Sequence, residues 1–280
     1  DYDQWAQLTG DDAWTWQNAL PYFRLHEDHH KGASAAHGAR GTPSELLDGE
    51  AGTPEEVWRT VLRHHKAGGE WRIDKQRLRW DVLDAFAQAA QQAGIAATDD
   101  FNTGDNEGVG YFEVNQKAGW RWNTAKAFLR PTCYGRPNFE LWTSAQVARL
   151  VIEPQPDGSK RCTGVLVWDG QELVTATATQ EVVLAAGSIG SPQILQLSGV
   201  GPGELLQRHG IGVTHALPGV GANLQDHLQI RSVYKVQGAK TLNTLASTAA
   251  GKARIGLEYA LKRSGPMSMA PSQLGAFTRS

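Results

Sequence analysis

The sequence of 280 residues predicts a mixed α/β (α+β) fold, built on a Rossmann-like domain with a β-meander. The apolar run at residues 182–186 has the length and branching of a strand buried on both faces. A glycine turn at 187–190 follows, and Ser191-Pro192 then supplies an N-cap and a proline at the first helical position. Residues 139–177 predict several antiparallel strands, the meander, with a hairpin turn at Asp169-Gly170 between the last two.

The helix after this turn has an apolar side formed by Ile194, Leu195 and Leu197, and Ser198-Gly199 ends it. The start of such a helix presents unpaired N–H groups and a partial positive charge, so a pyrophosphate is a suitable ligand. Many α/β proteins contain a strand, turn and helix that bind nothing, so this motif alone leaves a purely structural role open.

Composition excludes some classes of function. A formal charge of −2 and a pI near 6.5 give no reason to expect nucleic acid as a partner. No apolar stretch approaches the roughly 20 residues of a transmembrane helix. Cys133 and Cys162 are too few for a disulfide framework, which favours a reducing compartment. We therefore expect a cytoplasmic protein, with peripheral attachment to the inner membrane as the alternative.

Three blocks follow one another around the predicted helix. They read Gly187-Ser188-x-x-Ser191-Pro192-x-Ile194-Leu195-x-x-Ser198-Gly199-Val200-Gly201, Leu217-Pro218-Gly219-Val220-Gly221 and Asn223-Leu224-Gln225-Asp226-His227. Together they resemble the second signature of the glucose–methanol–choline (GMC) oxidoreductases, which are FAD-dependent alcohol oxidases and dehydrogenases. Within that family the resemblance is to the choline-dehydrogenase-like branch.

The resemblance implies FAD as cofactor and a reaction in which hydride passes from a primary alcohol to flavin N5 and gives an aldehyde. Oxygen or a quinone would accept the electrons. The implied cofactor-binding residues are Val147, whose main chain would read the adenine edge, and Ala186, Gly187, Ser188, Ser191, Gly221, Asn223 and Asp226. Gln273 and Phe277 are candidates to face the alcohol, and no metal ligand is implied.

No catalytic residue is assigned in this chain. The family's catalytic His is expected beyond Ser280, and the sequence contains no G-x-G-x-x-G turn. His227 belongs to a structural block beside the cofactor, so we interpret it as a hydrogen-bonding residue and reject it as the base. We expect the central part of a longer enzyme, inactive by itself. A noncatalytic nucleotide-binding module and a structural fragment are the alternatives.

Three segments are expected along the chain. Residues 1–97 form a helical segment with an insertion, 98–228 the central part of the FAD-binding domain, and 229–280 the start of an antiparallel-sheet substrate domain. The insertion near 37–69 carries a predicted helix at 53–62 and is a surface excursion or a lid over the substrate entrance.

The remaining predicted elements follow periodicity and turn signals. The helices are 2–8, 16–27, 74–93, 204–209 and 251–262, and the strands are 111–114, 140–143, 146–152, 163–168, 172–177 and 213–216. His26, His29 and His30 have helical spacing and could hold a metal in principle. Because no Cys or carboxylate completes the set, we interpret them as a solvated helix end.

Overall fold

The computed structural model describes residues 1–38 and 69–279. The chain divides into two compact units, one of Asp1–Phe139 with Lys235–Ser280, the other of Glu140–Tyr234. The predicted helix at 53–62 and the lid hypothesis lie outside the described residues. The domain boundaries expected after residues 97 and 228 stay a prediction.

The first unit holds most of the described helices. They are Tyr2–Thr9, Trp16–His26, Asp81–Gln92, Arg130–Thr132, Leu242–Leu245 and Ala249–Lys262, with 3-10 turns at Asp12–Trp14 and Pro266–Ser268 and a π-helical turn at Ala125–Leu129. The third is shorter than the predicted 74–93, because Asp74 bonds across to Val114 in an antiparallel bridge before the helix begins. Phe86, predicted for its apolar side, is exposed, whereas Ala90 is buried.

The strands of the first unit form three short ladders. Glu27–His29 pairs in parallel with Trp71–Ile73, Gly108–Tyr111 pairs antiparallel with Leu274–Phe277, and Gln116–Lys117 pairs antiparallel with Trp120–Arg121. The strand predicted at 111–114 is therefore placed three residues too late. The observed strand contains two glycines, Gly108 and Gly110, and they permit a close approach of another backbone segment. A Cβ on Gly110 would lie 2.1 Å from the carbonyl oxygen of Thr98.

The second unit contains the predicted meander. Its antiparallel strands are Gln146–Pro154, Lys160–Trp168 and Leu173–Thr177. The turn between the last two is built as its sequence predicts, since Gly170 has φ 105° and the Asp169 carboxylate accepts the N–H groups of Gln171 and Glu172. The strand predicted at 140–143 is wrong, because these residues form no ladder and expose Leu141 and Trp142.

After the meander the chain forms two helices and one small parallel ladder. The helices are Gly187–Leu197 and Gly203–Arg208, and Val200–Gly201 pairs with His215–Ala216. The N-cap predicted at Ser191 is wrong, because the helix begins four residues earlier. Pro192 therefore lies inside the helix and cannot donate a hydrogen bond to the carbonyl of Ser188. Because Ser188 is exposed, water can satisfy this carbonyl instead.

Residues 182–186 do not form the predicted buried strand. They run into the helix without ladder hydrogen bonds, and Val183 is 78% exposed. A strand of a parallel sheet is buried only where neighbouring strands and covering helices flank it, and the described part of residues 140–234 offers this segment none. The apolar pattern thus predicts burial between neighbouring strands and helices, and residues 140–234 do not bury this segment.

Each unit has a small apolar core. In the second unit the buried side chains are Leu150, Val167, Ile194, Val200 and Leu206. They come from the meander, the helix that begins at Gly187 and the segment after it. Leu197, predicted for the same apolar side as Ile194, is exposed. Among the described residues, no helix is both long and apolar enough to cross a membrane.

Candidate functional site

The start of the Gly187–Leu197 helix is open to solvent. Gly187 has φ 84°, and Ala186 before it has φ −85° and ψ 9°, so the chain bends sharply at this point. Ala186, Gly187 and Ser188 are exposed, and the first turn carries no acidic side chain. The N–H groups at a helix start have no partner within the helix and carry a partial positive charge, which suits an anion.

Ser191 stabilises this bend. Its Oγ accepts a hydrogen bond from the backbone N–H of Ala186 at 3.0 Å. The hydroxyl therefore closes the turn that precedes the helix and holds the backbone from Ala186 to Gly190 in one conformation. This role differs from that of the predicted N-cap, yet it places Ser191 at the same bend.

The loop that carries Gly221 packs on the same helix. The side-chain amide of Gln196 donates to the carbonyl oxygen of Val220 at 3.0 Å. Gly221 has φ 81°, and a Cβ there would lie 2.8 Å from Gln196 Nε2. The structure thus brings the first two sequence blocks together through Gln196. Sequence analysis missed this residue, since a single glutamine on a helix carries no signal of its loop partner.

The third sequence block, residues 223–227, does not anchor the loop that carries Gly221. Asp226 Oδ1 accepts the backbone N–H of the next residue, His227, at 2.9 Å, and all residues from 221 to 230 are exposed. Asn223 has the left-handed value φ 55°, which asparagine tolerates better than most residues. These side chains are therefore available to a ligand.

Val147 lies in the first strand of the meander, opposite Val167. The ladder shifts register between Val147 and Arg149, so backbone groups at this point leave the regular pairing. The same strand is tied to the Gly187–Leu197 helix, because Leu150 N–H donates to Ser198 Oγ at 2.8 Å. The strand of Val147 and the helix of the glycine turn thus form one packed pair.

The two candidate substrate residues lie in the first unit. Phe277 packs with Phe101 and Phe112, at ring-centroid distances of 5.1 and 6.2 Å, and lines a cavity of about 190 Å³. The backbone carbonyl of Gln273 accepts from Phe112 N–H and Gln76 Nε2. Its side-chain Oε1 is buried and has no hydrogen-bond partner among the described residues, so it is a free acceptor.

The histidines near the N-terminus do not form a solvated helix end, and that interpretation is wrong. His26 ends a helix, but His29 belongs to a strand and is buried, and His30 follows that strand. Carboxylates that are distant in sequence, Glu113 and Asp100, lie against this group. Sequence analysis had missed them because residues more than 60 positions apart give no local pattern.

Known proteins are similar to this chain in sequence and in fold. Residues 1–229 match the family model described as GMC oxidoreductase. The oxygen-dependent choline dehydrogenase of Paraburkholderia phymatum is 35% identical over 283 residues, covering 100% of this chain and 43% of that protein. The mitochondrial choline dehydrogenase of Homo sapiens is 33% identical over 280 residues, covering 100% of this chain and 41% of that protein.

A solved structure of an oxidoreductase has a similar fold. An FAD-dependent oxidoreductase from Chaetomium thermophilum superimposes with a TM-score of 0.69 at 25% identity, over 98% of this chain and 44% of that one. The chain belongs to the GMC oxidoreductase family, and both the predicted family and the mixed α/β fold class are confirmed. It spans less than half the length of the curated relatives named here.

Proposed function

We propose that this chain is the central part of an FAD-dependent oxidoreductase that oxidises a primary alcohol to an aldehyde. Membership of the GMC family supports the class of reaction. The relatives' names, choline dehydrogenase, support a choline-like alcohol. The observation that carries the proposal is the exposed helix start at Gly187, free of acidic side chains and held by Ser191.

In this proposal the helix start binds the diphosphate of FAD. Backbone N–H groups of residues 187–189, which have no partner within the helix, would donate to phosphate oxygens, and the helix dipole would favour their negative charge. The residues present fit such a group, since an added Cβ at Gly187 would meet nothing within 4 Å and the backbone can approach a ligand closely. Val147 would meet the adenine through its main chain, and Gly221, Asn223 and Asp226 would lie along the cofactor.

Bound FAD would supply the hydride acceptor, and the chain's own residues would orient the alcohol. Gln273 Oε1, buried with no hydrogen-bond partner in the part of the chain that the structure describes, can accept the hydrogen bond of a hydroxyl. The aromatic group of Phe277, Phe101 and Phe112 offers ring faces to a quaternary ammonium, which cation–π attraction favours. The electron acceptor, oxygen or a quinone, and the cytoplasmic location stay predictions.

Flavin binding tests the proposal through Ser188, which is exposed in the first turn. Ser188→Asp adds a negative charge that stabilises the helix but repels a diphosphate, so melting temperature and flavin affinity should change in opposite directions. We expect flavin absorbance near 450 nm in the purified protein and at least about tenfold weaker retention in Ser188→Asp.

Ser188→Ala is the matched control, because it alters the same position without a charge. If Ser188→Asp retained flavin as well as Ser188→Ala, the diphosphate would not lie at this helix start. A purified protein without flavin that also fails to bind added FAD would favour the structural alternative. Aldehyde production by these 280 residues alone, given FAD and an artificial electron acceptor, would contradict the expectation that they are inactive.

Phe277→Ala tests the substrate part of the proposal in the longer, active enzyme of which this chain is the proposed central part. Loss of a cation–π contact should raise the KM for choline about tenfold, or about 1.4 kcal/mol. An uncharged alcohol of the same shape is the control, and its KM should rise much less. Equal increases for both alcohols would show that Phe277 serves packing alone.

A further inference from the structure

A cluster of ionisable side chains is buried in the first unit, beside the aromatic cavity assigned above to the alcohol. None of its members is among the residues assigned above to flavin or alcohol. It contains three histidines and three carboxylates, and each side chain is at most 14% exposed. The members are His29, His30, His37, Glu27, Asp100 and Glu113. Buried charges require partners, so the contacts within this cluster define its chemistry.

Glu113 lies between two imidazoles. His29 Nε2 is 2.8 Å from one of its carboxylate oxygens, and His30 Nε2 is 2.5 Å from the other. Two imidazole nitrogens and a carboxylate therefore converge on one point. Zinc typically binds three ligands of these kinds in a tetrahedral arrangement that leaves the fourth position open.

His37 stabilises the position of His29. Its ring stacks on that of His29, with centroids 3.8 Å apart and planes inclined by 10°. Nδ1 of His37 lies 3.1 Å from Glu27 and Nε2 lies 3.0 Å from Asp100, so both ring nitrogens face carboxylate oxygens. The His37 ring is thereby fixed, and it fixes the plane of His29 in turn.

The cluster has an excess of negative charge. The ammonium of Lys31 contacts two of the three carboxylates. Its Nζ lies 3.2 Å from Asp100 Oδ2 and 3.6 Å from Glu113 Oε1. The lysine side chain is 29% exposed, so it can move out to water. A bound cation would compensate this negative charge further.

We propose that His29, His30 and Glu113 bind a divalent transition-metal ion of the zinc type, and that Lys31 is the cation this ion displaces. The metal would bind the Nε2 atoms at about 2.0–2.1 Å and the carboxylate at about 2.0–2.2 Å. The Nε2 protons would move to Nδ1 or to solvent. At His29, whose Nδ1 accepts a long 3.3 Å hydrogen bond from the backbone N–H of Lys31, the proton would move to Nδ1. That hydrogen bond would then be lost, and Lys31 would be held less firmly.

The metal has a path of entry. Asp100 and Glu113 line the same cavity of about 190 Å³ as Phe277 and Phe101. Of the six cluster members, Asp100 and Glu113 line this cavity, so an ion inside it can reach their carboxylate oxygens. The site is thus reachable from solvent without opening the core.

Calorimetric titration of the purified, metal-stripped protein with Zn²⁺ tests the proposal. We expect one Zn²⁺ per chain, binding at least about tenfold weaker in Glu113→Gln and in His30→Gln. Lys31→Met should bind Zn²⁺ more tightly than the wild type, because the competing ammonium is gone. His26→Gln is the matched control and should leave the affinity unchanged, since its ring packs on Phe128 outside the cluster.

Circular dichroism of each variant separates loss of ligand from loss of fold, and bound Co²⁺ provides a visible spectrum that reports imidazole and carboxylate coordination. Absence of Zn²⁺ binding in both the wild type and Lys31→Met would overturn the proposal. Equal affinity in the wild type and a folded Glu113→Gln would overturn it as well. If Lys31→Met bound no more tightly than the wild type, the displacement by Lys31 would be wrong.

Discussion

The Ser198 hydroxyl joins Leu150 to the end of the helix that begins at Gly187. It accepts the backbone N–H of Leu150 at 2.8 Å and donates to the carbonyl oxygen of Ile194 at 2.6 Å, and both bonds are buried. One side chain therefore satisfies a strand donor and a helix acceptor that water cannot reach. This contact fixes the meander against the helix of the proposed diphosphate site.

Ser198→Ala should lower the free energy of unfolding by about 1–3 kcal/mol, because it leaves the buried N–H of Leu150 without a partner. Chemical denaturation measures the loss. Ser247→Ala is the control, since that hydroxyl donates to a carbonyl in an exposed turn, and its effect should stay within about 0.5 kcal/mol. Similar losses for both variants would contradict the role given to Ser198.

Gly199→Ala and Gly158→Ala separate steric contact from backbone strain. Both glycines have positive φ, 81° and 84°, so each alanine pays about 1–2 kcal/mol for the left-handed conformation. A Cβ on Gly199 would also lie 2.4 Å from the carbonyl oxygen of Gly212, whereas one on Gly158 would meet nothing within 4 Å. We expect Gly199→Ala to lose at least about 1 kcal/mol more, measured by denaturation. Equal losses would show that strain alone matters.

Ser191→Ala should weaken flavin retention about tenfold, since the backbone from Ala186 to Gly190 loses the hydrogen bond that holds it. Ser191→Thr keeps the hydroxyl and should retain most of the affinity. Fluorescence titration of the stripped protein with FAD measures both variants. If threonine and alanine weakened binding equally, the hydroxyl would not be the relevant group.

The stability of the meander hairpin should depend on pH through Asp169. Hydrogen bonds from the backbone N–H groups of Glu172 and Gln171 hold the pKa of this carboxyl below its usual 3.8. Because the folded-state pKa is depressed, the stabilisation is fully present above the unfolded-state pKa and is lost as pH falls through the lower folded value.

We therefore expect the wild type to be more stable than Asp169→Asn at neutral pH. The difference should shrink as pH falls below about 4. Denaturation across this range measures it. Glu181→Gln is the control for general charge effects, because this exposed carboxylate of the same unit has no side-chain hydrogen bond among the described residues. A difference that stays constant with pH would contradict the proposed hydrogen bonding of the carboxylate.

The sequence by itself determined the elements whose cause is local. The hairpin at Asp169-Gly170 and the helix Gly203–Arg208 were predicted to within a few residues, because turn chemistry and periodicity act over about ten positions. The three blocks after residue 187 identified the family, since a backbone that approaches a ligand closely needs glycine and small residues at fixed spacing.

Only the tertiary structure decided which distant groups meet. Gln196 reaches Val220, Ser198 reaches Leu150, and Glu113 lies against His29, 84 positions away. The tertiary structure also decided how exposed residues 182–186 are. Their apolar composition favours burial, but burial requires neighbouring strands and helices that the composition cannot supply. Packing brings together residues that no local pattern connects, so contacts and charge pairs of this kind appear only when the chain is folded.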